Sequence, residues 1–313
     1  MEPRLFLEEK EEGFDSKSIK HLRIKPNNQS ADFITPPFAV GCEVGCTYCY
    51  VGRHRDFGNP LVLSDNTNDI IEAIVDHYYQ QPPKYPDYSN QQDRWCWVYD
   101  VGESTDMLSP RNIELTDYIV QQLVIRTDLK PTFATKLSNK FTVEKLSPVC
   151  RPRRARIRVS LMPQKLADIV ELGTSKIKDR IDSIRLLYEK DYEVHVNFSP
   201  IIMYGGWAED YIQLMKDVDE GIGDDHVGMK IKQQLKAEVI FLTHHERLHL
   251  LNLRWNKEAE DLLWAPDYQE YKTNNRGSSD ILRYKMTIKK DAVKLFKAML
   301  AKHMSYCKIR YIF

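Results

Sequence analysis

The stretch Cys42-Glu43-Val44-Gly45-Cys46-Thr47-Tyr48-Cys49 decides the fold prediction, because it places three cysteines directly after an apolar, β-branched run. The C-x3-C-x2-C spacing offers three thiolates to one centre. A structural zinc site needs a fourth ligand, and His54 is the nearest candidate. A [4Fe–4S] cluster usually takes four cysteines, so a three-cysteine loop leaves one iron free for an exchangeable ligand. The loop therefore predicts an iron–sulfur cluster, with zinc as the alternative.

Short apolar runs alternate with longer amphipathic stretches along the chain. The predicted strands are Phe33–Val40, Trp95–Val101, Thr132–Thr135, Ala155–Leu161, Glu193–Phe198 and Ala237–Leu242. The clearest predicted helices are Asn66–Tyr79, Ile113–Arg126, Lys176–Lys190 and Trp207–Asp219. This alternation favours parallel pairing through right-handed crossovers, hence an α/β fold with a barrel or an open sheet. Six units would make an incomplete barrel.

The chain is long enough for a single large domain built on such a barrel, with 313 residues and a mass of 36.8 kDa. We expect an N-terminal extension over residues 1–32, the barrel over 33–243 and a C-terminal cap over 244–313. The cap would contain Ile281–Met286, a lysine-rich amphipathic helix from Lys289 to Lys302, and Cys307–Phe313.

Composition and charge restrict the partners and the compartment. The 45 basic and 45 acidic residues give a net charge of zero, which offers no support for nucleic-acid binding. No apolar run is long enough to span a membrane, and the N-terminus does not resemble a signal peptide. Half of the six cysteines lie in one short loop, which is atypical of a disulfide framework. We therefore expect a cytoplasmic protein that binds a metal and does not contact membranes.

Polar residues follow the predicted strands where chemistry collects in β/α barrels, at the carboxyl ends. They are Gly41-Cys42, the segment Gly102-Glu103-Ser104-Thr105-Asp106, Thr135-Lys136, Ser160 and Ser199-Pro200. Because these ends meet at one mouth of a barrel, the residues are expected to form one site.

The cysteine loop after the first strand of a six-unit barrel resembles the radical S-adenosylmethionine superfamily. The resemblance implies a partial (β/α)6 TIM-type barrel in which Cys42, Cys46 and Cys49 hold a [4Fe–4S] cluster. It also implies that S-adenosyl-L-methionine binds the open iron and is cleaved to a 5′-deoxyadenosyl radical. The cofactor would supply the difficult chemistry, while the protein positions the target carbon.

A closer resemblance, over about Pro37 to Tyr284, is to the spore photoproduct lyase branch of that superfamily. The motifs that carry it are Tyr48-Cys49-Tyr50, Thr135-Lys136, Ser160, Glu171-Leu-Gly-Thr174-Ser175-Lys176 with Arg180-Ile181, Phe241-Leu-Thr243, and Tyr271-Lys272 through Arg276-Gly277 to Tyr284. Several motifs in one order along the chain are more specific than a cysteine loop alone.

The resemblance implies roles for individual residues. Tyr50 would stack near the adenine, Gly102 and Glu103 would line the amino-acid end of the cofactor, and its polar groups would be held by three residues, Lys136, Ser160 and Arg180. Tyr48 and Glu103 are the predicted catalytic residues. The alternatives are core aromatics for Tyr48 and Tyr50, a solvated lysine for Lys136 and a helix-face ion pair for Arg180.

The chain departs from the DNA-repairing lyases at Glu103. Those enzymes carry a cysteine three residues before the aspartate that matches Asp106, and that cysteine returns a hydrogen atom to the product radical. Cys96 is a poor substitute, because seven residues of extended chain would place it roughly 23 Å from position 103. We expect Cys96, Cys150 and Cys307 to be structural.

Two further groups of residues have open interpretations. The run Arg151-Pro-Arg153-Arg154-Ala-Arg156-Ile-Arg158 is the dense basic stretch of the chain, and strand alternation would place Arg154, Arg156 and Arg158 on one face. They would either bind phosphate or acidic peptide, or form ion pairs. His244, His245 and His249 follow the sixth strand, and we interpret them as helix or substrate-pocket residues rather than metal ligands.

The missing cysteine and the neutral charge favour a peptide substrate, and the sequence looks similar to the peptide spliceases of this branch. That resemblance implies excision of tyramine from a tyrosine of a ribosomally made precursor, which leaves an α-keto-β-amino acid. It also implies a small partner protein that recognises the leader peptide. The alternatives are a DNA repair lyase acting on a flipped base, and a non-catalytic iron–sulfur or zinc-binding protein.

Overall fold

The computed structural model describes residues 22–27, 29–49, 51, 61–84, 92–274 and 277–313. The strands are β1 (Lys25–Pro26), β2 (Phe33–Ile34), β3 (Ala39–Val40), β4 (Gly45–Cys46), β5 (Val62–Leu63), β6 (Val98–Asp100), β7 (Lys130–Thr135), β8 (Arg156–Ser160), β9 (Glu171–Leu172), β10 (Glu193–Ile201), β11 (Lys236–Phe241), β12 (Thr243–His245), β13 (Gln269–Asn274), β14 (Gly277–Tyr284) and β15 (Lys308–Ile312). The helices are α1 (Thr67–Gln80), α2 (Ile113–Arg126), α3 (Lys140–Glu144), α4 (Gln164–Val170), α5 (Ile177–Glu189), α6 (Trp207–Ile222), α7 (His226–Gln234), α8 (Glu246–Trp255), α9 (Lys257–Leu263) and α10 (Met286–His303).

The main sheet has eight strands in the order β1-β2-β6-β7-β8-β10-β11-β15. All neighbours from β2 to β15 are parallel, and β1 is antiparallel to β2 at the edge. Parallel neighbours require crossover connections, and the longest helices in these crossovers are α1, α2, α5, α6 and α10. The sheet curls into a partial barrel, which confirms the predicted fold class.

The first predicted strand is two short strands, β2 and β3, rather than one. Pro36 and Pro37 lie between them, and proline has no N–H to donate to a sheet ladder. After this break β3 leaves the barrel sheet and pairs with β5. The break carries the chain from the barrel wall towards the cysteine loop.

The arginine run fills the barrel instead of lying on its surface. Arg156 and Arg158 alternate with Ile157 and Val159, which belong to the hydrophobic core, and both arginines are buried. The Arg158 guanidinium lies 2.6 Å from a carboxylate oxygen of Asp100. The prediction of one arginine face therefore holds only for these two residues. The third predicted member, Arg154, precedes β8 and forms an ion pair with Asp128.

The charged network continues across the neighbouring strands. The Arg156 Nε donates to Glu193 at 3.0 Å, and His195 lies 2.7 Å from the same carboxylate. The other side chains that form ion pairs in this network are Asp93, Lys130, Glu238 and Arg310. Buried charges are tolerated when each has a partner, so these arginines are structural and give no support for phosphate binding.

The C-terminal region differs from the predicted cap in one respect. The strand β15 pairs with β11 and contributes Arg310 and Tyr311 to the barrel interior, so it belongs to the barrel sheet. The strands β12, β14 and β13 form a separate antiparallel sheet. The domain boundaries at residues 32 and 243 stay a prediction.

The cysteines outside the loop fall into two groups. Cys96 and Cys307 are buried, as expected for structural residues, whereas Cys150 is exposed, so the structural role predicted for it is wrong. Position 150 lies in a bend before β8, and its side chain faces solvent while that of the neighbouring Val149 packs into the core. Among the helices of the described ranges, none has the length and apolarity needed to cross a membrane.

Candidate functional site

The cysteine loop is tied to two neighbouring loops. Gly41 begins it with a φ of 98°, which glycine adopts without strain, and its N–H donates to the Ser104 carbonyl at 3.1 Å. Further along, β4 pairs antiparallel with β9, with Cys46 opposite Glu171. The Cys49 N–H then donates to the Cys46 carbonyl in a tight turn. Local turn geometry and the β4–β9 ladder thus set the loop conformation.

The three loop thiols are partly buried and close enough to interact. Burial raises the pKa of Cys42 to about 11, and the charges of Asp106 and Cys49 add to that effect. Burial also raises the pKa of Cys46, while Lys136 opposes the increase. A metal centre reverses such shifts because the bound ligand is a thiolate. The nearby Lys136 ammonium would stabilise that negative charge.

The donor set fits an iron–sulfur cluster better than a zinc ion. In the described ranges no group of three or more His, Cys, Asp or Glu side chains is gathered around a single ion position. Zinc needs all its ligands within about 2.0–2.3 Å of one atom, whereas cluster thiolates bind different irons. His54, the fourth ligand of the zinc alternative, lies outside the described residues, and so does Tyr50.

Glu171 gathers several of the predicted residues beside the cysteine loop. The Tyr48 hydroxyl donates to its carboxylate, and an Arg180 nitrogen lies 2.8 Å from it. The Lys136 ammonium lies 4.0 Å from the same carboxylate and 5.6 Å from the centre of the Tyr48 ring. Burial and the adjacent Glu171 charge raise the pKa of Tyr48, so its phenol stays protonated. The Tyr48 hydroxyl is therefore a hydrogen-bond donor held in one orientation.

Arg180 reaches the site through other residues. Its guanidinium is fully buried and donates to the Ser160 carbonyl at 2.9 Å, the Ser175 carbonyl at 2.9 Å and the Thr174 hydroxyl at 2.6 Å. Together with Glu171, these partners fix the segment between β9 and α5. The ion pair proposed as the alternative exists, but it is buried rather than on a helix face. Direct contact of Arg180 with a cofactor stays a prediction.

Asn197 was not predicted, and it lies in the middle of β10 beside Ser160, the last residue of β8. The two residues are register partners on β10 and β8, and the Asn197 amide nitrogen lies 3.4 Å from the Ser160 hydroxyl. The Asn197 carbonyl oxygen Oδ1 is buried and has no hydrogen-bond partner among the described residues. Buried polar atoms are normally paired, so this acceptor is available to a bound molecule. The sequence signal for Asn197 was its position two residues before Ser199-Pro200, a segment already predicted to belong to the site.

The loop after β6 packs so closely that only glycine fits at position 102. A Cβ there would lie 2.7 Å from the Phe133 Cβ. The Gly102 N–H donates to Asp100 at 3.1 Å, which fixes the start of the loop. Its far end is held by the buried Asp106, which accepts from the Thr135 hydroxyl at 2.8 Å and the Lys136 N–H at 2.7 Å. The loop is thereby rigidly joined to the end of β7.

Glu103 lies between these two anchors, with its side chain exposed at the barrel mouth. Partial burial and the neighbouring Asp100 charge raise its pKa. A carboxyl group can exchange protons and accept hydrogen bonds, whereas a thiol can donate a hydrogen atom. The catalytic role of Glu103 stays a prediction.

The fold and site define a class of protein. A partial (β/α)6 barrel with a three-cysteine loop after its first strand is the arrangement of the radical S-adenosylmethionine enzymes, whose cofactors are a [4Fe–4S] cluster and S-adenosyl-L-methionine. A family model described as spore photoproduct lyase matches residues 17–312. The chain belongs to that family of radical S-adenosylmethionine lyases.

Individual relatives are distant. The spore photoproduct lyase of Clostridium acetobutylicum is 20% identical over 196 residues, which cover 62% of this chain and 54% of that protein. The spore photoproduct lyase of Bacillus subtilis is 23% identical over 207 residues, which cover 66% of this chain and 56% of that protein. The matched region is thus little more than half the length of these relatives.

Solved structures agree in fold. A spore photoproduct lyase complexed with dinucleoside spore photoproduct superposes with a TM-score of 0.78 and 17% identity, covering 95% of this chain and 81% of that one. A double mutant with bound AdoMet and the same dinucleoside gives a TM-score of 0.77 at 16% identity, with the same coverage. At this identity the likeness shows the fold alone.

Proposed function

We propose that the protein is a cytoplasmic peptide splicease that excises tyramine from a tyrosine of a ribosomally made precursor and leaves an α-keto-β-amino acid. The observation that carries this proposal is Glu103 at the barrel mouth, where the DNA-repairing lyases have a hydrogen-donating cysteine. A reaction that ends in a carbonyl group and a released amine needs proton transfers at the mouth. It does not need a thiol to quench the product radical.

The chain's own residues would divide the work as follows. Cys42, Cys46 and Cys49 hold the cluster, and Lys136 stabilises their negative charge. When bound, the cluster and S-adenosyl-L-methionine supply a 5′-deoxyadenosyl radical that abstracts hydrogen from a C–H bond. The cofactor contacts assigned to Tyr50, Gly102, Glu103, Lys136, Ser160 and Arg180 belong to this proposal.

Tyr48 and Glu103 are the proposed catalytic residues. Glu171 accepts the Tyr48 hydrogen bond, so the phenol has a fixed direction and a proton acceptor at hand. Glu103 exchanges protons with the substrate at the mouth, and the environment that raises its pKa moves it towards the range useful for a general acid or base.

We also propose a small leader-recognition protein as the partner. The test combines enzyme, precursor peptide and that partner anaerobically with S-adenosyl-L-methionine and reductant. The expected product is a peptide that has lost the N–H, the Cα–H and the side chain of one tyrosine, which is the mass of tyramine less two hydrogens. It should react with hydroxylamine, because the new ketone forms an oxime. A peptide of unchanged mass, in a reaction that does form 5′-deoxyadenosine, would contradict the splicease proposal.

A DNA repair lyase is the second candidate, favoured by the family and by the dinucleoside bound to a structural neighbour. The burial of Arg156 and Arg158 inside the barrel weighs against it, because these side chains are unavailable to phosphates. Phosphate contacts make DNA affinity fall steeply with salt. We therefore expect weak DNA binding that changes little between low and moderate salt. Tight, strongly salt-dependent binding would favour repair.

Replacing Glu103 by cysteine separates the two candidates. The substitution restores the hydrogen-donating group, but we expect no repair of irradiated DNA, because the proposed peptide substrate also differs from DNA in shape. The matched control is Glu103→Ser, because serine is similar in size to cysteine but donates a hydrogen atom less readily. Robust thymine restoration by Glu103→Cys alone would show that the pocket accepts DNA.

A further inference from the structure

A buried polar cluster lies behind the cysteine loop and is made by the segment from β12 to α9. The Glu260 carboxylate is its centre: His249 Nδ1 lies 2.6 Å from it, His244 Nε2 lies 3.1 Å from it, and the Asn252 amide donates to it at 2.7 Å. His244, Asn252 and Glu260 are each at most 2% exposed. We call these four residues the Glu260 cluster.

The Glu260 cluster reaches the cysteine loop through one hydrogen bond. The Asn252 Nδ2 donates to the Thr47 carbonyl at 2.9 Å as well as to Glu260. Thr47 lies between Cys46 and Cys49 in the cysteine loop, and its N–H donates to the Val170 carbonyl at 2.9 Å. Its backbone is therefore held on both sides, by the C-terminal region and by the end of α4.

Two neighbouring contacts make this attachment rigid. The His249 ring stacks on Trp264 with a centroid distance of 3.8 Å and an interplanar angle of 15°. One turn beyond Asn252, the Asn256 Nδ2 donates to the Ile169 carbonyl at 3.1 Å, and its Oδ1 accepts from the Ala259 N–H at the start of α9. The C-terminal region thus grips the backbone next to both strands of the β4–β9 ladder.

We infer that Asn252, oriented by Glu260, is a positioning residue that keeps water away from the iron–sulfur cluster and thereby sets its reduction potential. A hydrogen bond between residues 205 positions apart cannot be replaced by local turn structure. Without it the Thr47 carbonyl loses this partner. The segment from Cys46 to Cys49 keeps the Thr47–Val170 and Tyr48–Glu171 hydrogen bonds but is released from the C-terminal region, where water can then reach it. The reduced cluster carries more negative charge than the oxidised one. Water stabilises the reduced form more, so greater exposure raises the potential.

The test compares Asn252→Leu with a matched control, Gln269→Met, in the reconstituted holoprotein. Gln269 is also a buried amide of the C-terminal region, but it bonds to Leu263 and Ala265 rather than to the cysteine loop. The readouts are the midpoint potential, the electron paramagnetic resonance spectrum of the reduced cluster, and the rate at which a chelator removes iron. Circular dichroism checks folding.

For Asn252→Leu we expect a positive shift of the midpoint potential, an altered resonance spectrum and chelation about 10-fold faster, the lower end of the usual outer-shell effect. Gln269→Met should match the parent protein in all three. Where the leucine variant does not fold, Asn252→Ser gives the same comparison, because serine is too short to reach Thr47. A folded Asn252 variant with the parent potential, spectrum and chelation rate would overturn the inference.

Discussion

Glu171 illustrates how one residue links several functional side chains. Its carboxylate meets Tyr48, Lys136 and Arg180, and its backbone pairs with Cys46. The sequence pattern identified the segment that contains it, but it could not show that these partners converge. Their convergence depends on the β4–β9 ladder, which joins positions 125 residues apart in the chain.

Glu171→Gln keeps the side-chain shape and removes its negative charge. The Arg180 guanidinium would lose its buried counter-ion, and Tyr48 would lose a strong acceptor. We expect S-adenosyl-L-methionine cleavage to fall about 10- to 100-fold, the usual range for outer-shell residues. Release of 5′-deoxyadenosine measures this. The matched control is Glu144→Gln, an exposed glutamate that forms an ion pair with Lys140 on the same helix. Equal rates in both variants would contradict the role of Glu171.

The cysteine assignments make the simplest prediction at this scale. Replacing Cys42, Cys46 or Cys49 by alanine should abolish 5′-deoxyadenosine formation while the circular dichroism spectrum stays that of the folded barrel. Cys150→Ser is the control, because Cys150 is an exposed free cysteine outside the loop. Its activity should be unchanged. Turnover retained in any of the three loop variants would refute the cluster assignment.

At the scale of elements, hydrophobic periodicity predicted six of the seven parallel strands of the main sheet and the helices α1, α2, α5 and α6. It predicted one strand where Pro36 and Pro37 make two, because the apolar pattern continues through the prolines. It also assigned β15 to a cap. The strand β15 is short and alternates charged with apolar residues, which is typical of an exposed edge strand. Only its pairing with β11 shows that Arg310 and Tyr311 point to the buried Glu238 carboxylate.

The strand β15 supplies a testable contact to the barrel interior. The Tyr311 hydroxyl donates to the buried Glu238 carboxylate at 2.8 Å. Tyr311→Phe should lower the free energy of unfolding by about 1.5–3 kcal/mol, the usual contribution of a hydrogen bond to a charged group. Tyr192→Phe is the control, because its hydroxyl makes a 3.4 Å bond to a neutral carbonyl, and it should cost less than about 1 kcal/mol. Urea unfolding followed by tryptophan fluorescence measures both. Equal losses would contradict the buried role of β15.

For the whole molecule, the charged barrel interior is the feature that sequence analysis could least anticipate. The arginine run and its acidic partners lie far apart in the chain, and only barrel closure brings them together. Alternation placed Arg156 and Arg158 on one face, but it could not distinguish an interior face from a solvent-exposed one. The difference changes the functional interpretation, because paired interior arginines cannot recognise a polyanion.

The interior network predicts acid sensitivity. Burial opposes ionisation of Asp93, but the cations Lys130 and Arg156 outweigh it and lower the pKa from 3.8 to about 2. A carboxylate with a depressed folded-state pKa stabilises the protein above pH 3.8 and loses that contribution as pH falls through about 2. The shift corresponds to about 2 kcal/mol.

Asp93→Asn should therefore be about 2 kcal/mol less stable than the parent at pH 7, and the difference should shrink as pH falls below 4. Urea titrations at several pH values measure this difference. Asp182→Asn is the control, because Asp182 is exposed and its ion pair is with the exposed Lys178 on the same helix. A stability difference for Asp93→Asn that is independent of pH would contradict the network.

The most direct test of the central claim is one anaerobic assay run in parallel on two substrates. Reconstituted enzyme, S-adenosyl-L-methionine and reductant are mixed with precursor peptide plus partner protein, or with ultraviolet-irradiated DNA, and 5′-deoxyadenosine and substrate masses are recorded together. We predict 5′-deoxyadenosine together with a peptide shortened by the mass of tyramine less two hydrogens, and unchanged DNA. Restored thymines with an intact peptide would contradict the account and make Glu103 the residue to explain.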